Sequence, residues 1–407
     1  MKHYHLIVVG GGISGVAAAV SAAREGLSVL LIEKFGALGG AMTNSLVYPY
    51  MRHRTRESGI LLSDGIFSEM KERREAYDDP SWETYKFVFD DMVTEAGVDV
   101  LFHSTVFSAK TEKKQVKSVE VATREGVMAF SADYFIDTSG DGDLLALAGC
   151  EFQLGRESDG YCQPMTTCFR FSGVDIDRFK EEIEFLQKKY NELQSENEIQ
   201  NPRENILYFF GLGEGILHLN TTRVIKHDPT NAFETSRAEI LARKQIHEMT
   251  CFFKKYSTAF EHASLVSIAS HIGIRESRKL KGVHILTADE IKNCVQFEDS
   301  IALGNYSIDI HNPTGSGTYI YSFKKDDYYS IPYRSLLPKE FDNLLVAGRC
   351  LSADHTAHSS VRIMPICACL GEAAGVATSM AQKEGLSVQK IDVSRLQDLL
   401  RQKGAKL

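Results

Sequence analysis

Apolar and polar positions alternate in three distinct rhythms along the chain, and the first of them is set within the opening 33 residues. His5–Gly10 is an unbroken apolar run, Ser14–Glu25 is rich in small residues compatible with a helix, and Ser28–Glu33 is a second apolar run. Strand, helix and strand in that order predict a βαβ unit and therefore a parallel sheet buried on both faces. Phe35–Arg56 has no period and is rich in Gly, Tyr and Arg, so it reads as a loop laid across a ligand; Trp82–Ala96 reads as a helix. Val98–Phe102, Thr105–Lys110, Lys117–Thr123 and Val127–Phe130 alternate with period two between turn residues. They predict a small meander leading into an apolar strand at Tyr134–Asp137.

From about Phe152 the rhythm changes. Asp177–Gln200 is highly charged with Phe179, Ile183, Leu186, Tyr190 and Leu193 at helical spacing, which predicts a surface helix of an inserted domain. Asn231 followed by Glu234 marks a capped helix start, with the helix continuing to about Tyr256. Strand-like runs follow at Leu265–Ile274 and Ser300–Ile310, then a buried strand at Leu344–Ala347 and a closing helix of small residues at Met364–Lys383. The expected layout is discontinuous: an α/β nucleotide domain built from residues 1–151 and 332–407, with an inserted α+β substrate domain over 152–331.

Composition narrows the function classes without choosing among them. In 407 residues, 43% hydrophobic and 25% charged positions describe an ordinary globular chain long enough for two cores. A net charge of −8 with no basic run argues against a nucleic-acid partner. Leu6–Val9 and Val29–Ile32 are too short to span a bilayer, and the first strand begins at once, so neither membrane insertion nor a leader is expected. Eight scattered cysteines predict reduced thiols and a cytoplasmic location. None has the spacing of a zinc or iron–sulfur site, nor the Cys-x4-Cys spacing of disulfide-reductase flavoproteins.

The chemistry begins at Gly10-Gly11-Gly12-Ile13-Ser14-Gly15, a GxGxxG pattern directly after a strand and directly before a helix. Gly10 allows the tight turn, Gly12 lets the backbone approach a pyrophosphate, and Gly15 permits close strand–helix packing, while the free amides of the helix start attract the anion. Glu33 ends the second strand, where a carboxylate accepts from both hydroxyls of an adenosine ribose and rejects a 2′-phosphate. Gly39-Gly40 and Thr43 follow in a loop where bare backbone approaches the rest of a dinucleotide. Two more strands end in small residues: Tyr134–Asp137 runs into Ser139-Gly140-Asp141, and Leu344–Ala347 into Gly348-Arg349. Pro365 marks the first turn of the closing helix, whose positive pole suits a flavin pyrimidine carbonyl. Ile13, Ser14, Lys34, Val106 and Arg362 complete the set expected to touch the cofactor.

The ordered series Gly10–Gly15, Gly39-Gly40, Thr138–Asp143, Gly273–Arg278, Ile331–Arg334 and Val346–Arg349 resembles a bacterial family of FAD-dependent oxidoreductases over about residues 4–382. The resemblance implies a Rossmann-type FAD-binding domain, FAD as cofactor, and distant similarity to fumarate reductase and aspartate oxidase flavoproteins. Some relatives are set aside by what the chain lacks. Gly348-Arg349-Cys350 stands where aromatic hydroxylases carry a Gly-Asp motif, Trp82 is the sole tryptophan where halogenases need two, and no second GxGxxG is present for NAD(P)H.

The expected reaction is hydride transfer between a small organic molecule and flavin N5. A monooxygenase drawing on an external reductant and a non-catalytic flavin sensor are its rivals. Such chemistry needs an anchoring cation and an acid or base. Arg275 is the candidate anchor for an anionic substrate, with a structural ion-pair network around Glu276 and Arg278 as the alternative. His355 and His358, in the polar stretch Ser352–Arg362, and His311 are the candidate acids or bases, with Tyr333 a further candidate. Cys350 is the one thiol expected near the cofactor, and simple packing is the favoured reading for it. Substrate identity, direction of reaction and oligomeric state are left open.

Overall fold

The computed structural model of the protein describes residues 1–79 and 81–407. Its main sheet is seven-stranded and built from β1 (Lys2–Val9), β2 (Val29–Ile32), β3 (Asp99–Leu101), β4 (Thr105–Glu112), β5 (Gln115–Thr123), β6 (Gly126–Asp137) and β17 (Leu344–Val346). β3, β2, β1, β6 and β17 run parallel, while β5 and β4 continue from the lower half of β6 as an antiparallel hairpin. Along β1, Leu6 and Val8 join the core shared with helices α1 (Ile13–Arg24) and α9 (Met364–Glu384), and Ile7 and Val9 join Val119, Val121 and Leu144 on the opposite face. Burial on both faces is why these strands read as unbroken apolar runs.

α1 and α9 touch backbone to backbone. A Cβ placed on Gly371 or Gly375 would lie 2.1 or 2.3 Å from the carbonyl oxygen of Ser14 or Ala18, so only glycine allows this approach. α9 is long and apolar enough to cross a bilayer by length and composition, but its apolar window is wholly buried inside the protein. Around this core lie α2 (Ile66–Glu75), α3 (Tyr85–Glu95), α4 (Asp143–Ala148) and α10 (Val393–Gln402).

A second antiparallel sheet, in the order β11 (Ser264–Ile268), β8 (Phe169–Ser172), β10 (Leu217–Leu219) and β9 (Tyr208–Phe209), packs on α5 (Ile176–Ser195) and α6 (Ala232–Tyr256). Phe171, Phe179, Phe253 and Phe260 fill that interface. Asp175 and Asn231 cap α5 and α6, accepting from the amides of Arg178 and of Phe233 and Glu234. Three two-stranded ladders join the layers: β7 (Phe152–Leu154) with β12 (Arg278–Leu280), β13 (Ser300–Gly304) with β16 (Tyr329–Pro332), and β14 (Ile308–His311) with β15 (Thr318–Tyr321). α7 (Ala288–Lys292) and α8 (His355–Val361) complete the chain.

The structure redraws several predicted elements. Val127–Phe130 and Tyr134–Asp137 are one twelve-residue strand, because Ser131 and Ala132 keep the ladder to β1 intact between them. Val98–Phe102 belongs to the parallel edge beside β2 instead of the meander. Of the run 265–274 only residues 265–268 are strand, as part of β11, which lies largely exposed at a sheet edge. The run 300–310 breaks at Asn305–Ser307 into two strands with different partners. The polar stretch 352–362 contains helix α8, capped by Asp354, which accepts from the Ala357 amide at 2.6 Å.

Candidate functional site

One cleft of about 1420 Å³, its solvent-open mouth included, runs from the end of β1 along the sheet top to the first turn of α9. Its floor is the glycine turn. At Gly10 φ is 101°, and a Cβ there would fall 2.5 Å from Ser139 Cα; at Gly15 it would fall 1.9 Å from the Gly10 carbonyl oxygen. These two glycines are demanded by the fold itself. Gly12 is different: its φ of −66° suits any residue, and a Cβ would meet nothing nearer than Gly40 Cα at 4.0 Å. The space beside Gly12 is therefore left for something else. No side chain caps α1 at this point, and the Ser14 hydroxyl on the cleft wall is buried without a partner. Free helix-start amides, an unused hydroxyl and bare backbone suit a pyrophosphate.

Glu33 is 4% exposed, and its two oxygens accept from the amides of Gly11 at 2.6 Å and Phe35 at 2.7 Å. Burial raises its pKa while the two amides oppose the shift. A carboxylate has further lone pairs, so Glu33 is fixed in orientation and still able to accept from ribose hydroxyls. Val106 and Phe35 line the same end, and the Phe35 ring stacks on His271 at 4.3 Å between centroids.

On the opposite wall, Ser139, Gly140 and Asp141 leave β6 and meet Gly348 and Arg349 leaving β17. Asp141 Oδ1 accepts from Arg349 at 2.8 Å and from the Ser277 hydroxyl at 2.9 Å, and Lys34 Nζ stands 3.6 Å from Oδ2. Burial would raise the Asp141 pKa, but Arg349 and Lys34 outweigh it and hold the carboxyl at about 2. At the far end Met364 and Cys367 bring in the start of α9, which has Pro365 in its first turn and no side-chain cap. A second free helix pole thus faces the cleft, as a pyrimidine carbonyl requires.

Most residues expected to touch the cofactor stand on this wall: Gly10, Gly12, Ile13, Ser14, Glu33, Lys34, Gly39, Gly40, Val106, Ser139, Gly140, Asp141, Gly348, Arg349 and Arg362. Gly15 and Thr43 stand behind it. Gly15 is a packing residue, and Thr43 is 5% exposed with its hydroxyl donating to the Leu38 carbonyl, which holds the Gly39 turn from beneath.

The catalytic candidates separate more widely. Residues 275–279 alternate in direction. Arg275 Nη1 donates to the Pro164 carbonyl at 2.7 Å and to the Thr166 hydroxyl. Glu276 is fully buried and pairs with Lys279 and with His355 Nδ1 at 2.9 Å, while Arg278 bridges to Asp143 at 3.3 Å. Burial raises the Glu276 pKa, but His355 and Lys279 reverse the effect and hold it far below the usual range. The ion-pair alternative thus describes Glu276 and Arg278, and Arg275 is not part of that network. His355 is engaged by Glu276. His358 is wholly buried, its Nε2 2.7 Å from the Arg349 carbonyl to which it must donate, and burial drives its pKa far down. It props the loop that carries Arg349. Tyr333 is buried and donates to the Val388 carbonyl at 2.8 Å, and Cys350 is buried with its thiol pushed far up, so neither reaches the cleft.

His311 lies in a different setting. Its Nδ1 is 3.0 Å from Arg223 Nη2, an obligate donor, so Nε2 carries the proton and faces Asp309 Oδ2 at 3.4 Å. The Tyr306 hydroxyl donates to the same Asp309 oxygen at 3.1 Å. Burial first, then Arg275, lower the His311 pKa to about 3, so the ring is neutral. Arg362 Nη1 donates to the Arg275 carbonyl at 2.8 Å and so joins this group to the cleft. Arg203, Arg223 and Tyr306 were not legible as site residues, because each is a single polar residue in a segment without period.

Short stretches of the chain resemble characterised flavoenzymes. Dihydrolipoamide dehydrogenase of Chaetomium thermophilum is 37% identical over 71 residues, covering 14% of each chain. Glutathione reductase of Debaryomyces hansenii is 27% identical over 191 residues, covering 40% of this chain and 38% of the relative. The chain thus spans well under half the length of these curated relatives. Among solved structures, a geranylgeranyl bacteriochlorophyll reductase-like protein from Thermoplasma acidophilum aligns over 99% of this chain and 84% of its own, at 13% identity and a TM-score of 0.49. A p-nitrophenol 4-monooxygenase from Pseudomonas putida aligns over 96% and 83%, at 11% identity and a TM-score of 0.47. The family described as FAD dependent oxidoreductase matches residues 5–400, and the chain belongs to it.

Proposed function

We propose that this FAD-dependent oxidoreductase exchanges a hydride with a small anionic organic molecule held between Arg275 and Arg362. FAD supplies N5, an atom that takes up or releases a hydride with its two electrons. The observation that carries the reading is the position of Arg362, which lines the cleft and also bonds the backbone of Arg275. A substrate anchored on these guanidiniums lies at the end of the cleft to which α9 points.

In this reading, residues 1–151 and 332–407 hold FAD, with Gly10–Ser14 and Ser139–Asp141 around the pyrophosphate and Glu33 on the ribose. Residues 152–331 cover it; Thr235, Glu239, His271 and Ile274 of that segment line the cleft. Among the histidine candidates, His311 is the one tied to substrate chemistry, through Asp309. Burial raises the Asp309 pKa, but His311, Arg362 and Arg275 outweigh it and keep the carboxylate ionised. In this reading Asp309 stays a carboxylate and acts by position, its Oδ2 accepting from the Tyr306 hydroxyl and facing His311 Nε2 beside Arg275 and Arg362.

Anaerobic titration of the FAD-loaded protein with small carboxylates, amines and sugars tests this, read as loss of the oxidised flavin absorbance. Bleaching by a carboxylate is expected. Bleaching by uncharged molecules alone, or by none, overturns the reading.

A further inference from the structure

Among the described residues three arginines neighbouring Asp309 form no ion pair: Arg203, which is buried, and the half-buried Arg275 and Arg362, of which Arg362 lines the cleft. Arg203 is 5% exposed, and its side chain makes a single hydrogen bond, from Nε to Asn205 Oδ1 at 2.8 Å. Arg275 donates only from Nη1, to Pro164 and Thr166, and Arg362 only from Nη1, to the Arg275 carbonyl. Among the described residues none of the three forms an ion pair. By contrast Arg223, 1% exposed, meets Glu204 at 2.9 Å and the carbonyls of Gly315 and Gly317.

The local charge does not balance. Arg203, Arg275 and Arg362 share Asp309 as a neighbouring carboxylate, while Glu204 is committed to Arg223, and Glu276 to Lys279 and His355. His311 is held neutral. Three guanidiniums against one carboxylate leave an excess of two positive charges. Burial, with repulsion from Arg362 and Arg203, pushes Arg275 down to about 9, and burial lowers the other two as well. Arginine stays protonated in proteins, so the strain is met by a counter-charge and not by loss of a proton. Nearby, Gln163 Nε2 is buried without an acceptor while its Oε1 takes the His311 amide at 3.3 Å. Unpaired cations drawn away from water are costly, and a protein that keeps one buried and two half-buried ones together is shaped for an anion that completes the set.

We propose that Arg203, Arg275 and Arg362 form the receptor for a small dianion, either two carboxylates or one phosphate monoester. This rests on the anionic-substrate reading for its place beside the flavin, and adds the number of charges and a third anchoring residue, Arg203.

The test uses the FAD-loaded protein with three probes, succinate, butyrate and inorganic phosphate, read by the flavin difference spectrum and by thermal shift. Succinate or phosphate is expected to bind at least about tenfold more tightly than butyrate, the scale of one added charge-assisted contact. Succinate without phosphate assigns a dicarboxylate; phosphate without succinate assigns a phosphate ester. In Arg203→Met the favoured dianion should weaken by about tenfold or more while the ligand-free protein melts no lower than wild type, because an unpaired buried charge has gone. Arg203→Lys, which keeps the charge and loses the fork, should fold normally and still bind the dianion severalfold more weakly. Equal binding of butyrate, no binding of either dianion, or unchanged affinity in both variants overturns the proposal. Dianion binding without flavin reduction by any compound would sink the hydride-transfer reading and leave the receptor standing. Bleaching by an uncharged compound with no dianion bound would do the reverse.

Discussion

The glycine cradle forms one end of the cleft, the arginine group adjoins the other through Arg362, and the two are built on opposite principles. At the cradle every charged group is matched: Glu33 is fixed by two amides, and Asp141 by Arg349, Ser277 and Lys34. Beside the other end, Arg203, Arg275 and Arg362 form no ion pair among the described residues and share one neighbouring carboxylate, Asp309, so the set is left open. A finished end suits a resident cofactor, and an unfinished end suits a ligand that comes and goes.

The sharpest way to break the finished end is Gly15→Ala. Its Cβ would sit 1.9 Å from the Gly10 carbonyl oxygen and 2.8 Å from Thr138 Oγ1, both held by the sheet. The strand–helix turn must open, at a cost above about 4 kcal/mol. We expect little soluble protein and no FAD uptake, measured by yield and by flavin content after reconstitution. Next comes Arg223→Met, which separates the paired arginine from its unpaired neighbours. It strands the partly buried Glu204 and removes the donor that orders His311, so stability should fall by about 3 kcal/mol in urea unfolding. Arg203→Met should show no such fall. Equal losses in the two variants would erase the distinction between paired and unpaired arginines.

The two ends also differ in how far they can be read from the chain. Gly10–Gly15 and Glu33 are legible because a strand, a turn and a helix within 24 residues determine one another, and the ligand contacts are backbone. Arg203, Arg275 and Arg362 gain their meaning only when three distant segments meet, and an unpaired arginine looks like any other arginine in sequence. The same limit explains the fold errors. α8 was hidden in a polar stretch because it is short and its cap, Asp354, lacks an apolar period behind it, so His355 and His358 seemed to face the cofactor when they face Glu276 and the Arg349 carbonyl. The merger of two predicted strands into β6 depends on its neighbours β1 and β5, which no local pattern contains.

Gly12→Ala isolates ligand from fold at the cradle. Since its Cβ meets only Gly40 at 4.0 Å, stability without FAD should change by under about 1 kcal/mol, near the N-cap preference of Gly over Ala. FAD affinity should still fall about 100-fold, or about 2.7 kcal/mol, because the pyrophosphate needs that space. Unchanged affinity by fluorescence titration would mean the dinucleotide lies elsewhere. At the arginine end the comparable probe is pH. His311 has its pKa lowered from 6.5 to about 3, so below pH 6.5 the unfolded chain gains a proton that the folded chain refuses. Stability is therefore lost on acidification, by about 2 kcal/mol between pH 6.5 and 5. His311→Asn should make that part of the profile shallower by about this amount, the rest of the slope belonging to His218 and His358, which burial also keeps neutral, and an unaltered slope would show that the ring is not held neutral.

The smallest expected effect is the most specific to the unfinished end. Arg275→Lys keeps one positive charge in place but gives up the planar fork, and a lysine ammonium holds a carboxylate at one point where arginine holds it at two. Because the Arg275 bonds to Pro164 and Thr166 use only Nη1, its remaining donors are the ones a substrate would take, and lysine cannot supply both sets. FAD content should be unaffected, since Arg275 stands off the cofactor cleft wall. KM for the anionic substrate should rise by about tenfold, or about 1.4 kcal/mol, with a smaller change in kcat, as expected for a contact made equally in ground and transition states. A fall in kcat at unchanged KM would place Arg275 at the reacting atoms, and unchanged kinetics with unchanged FAD would remove it from the site and leave Arg362 and Arg203 to carry the substrate charge.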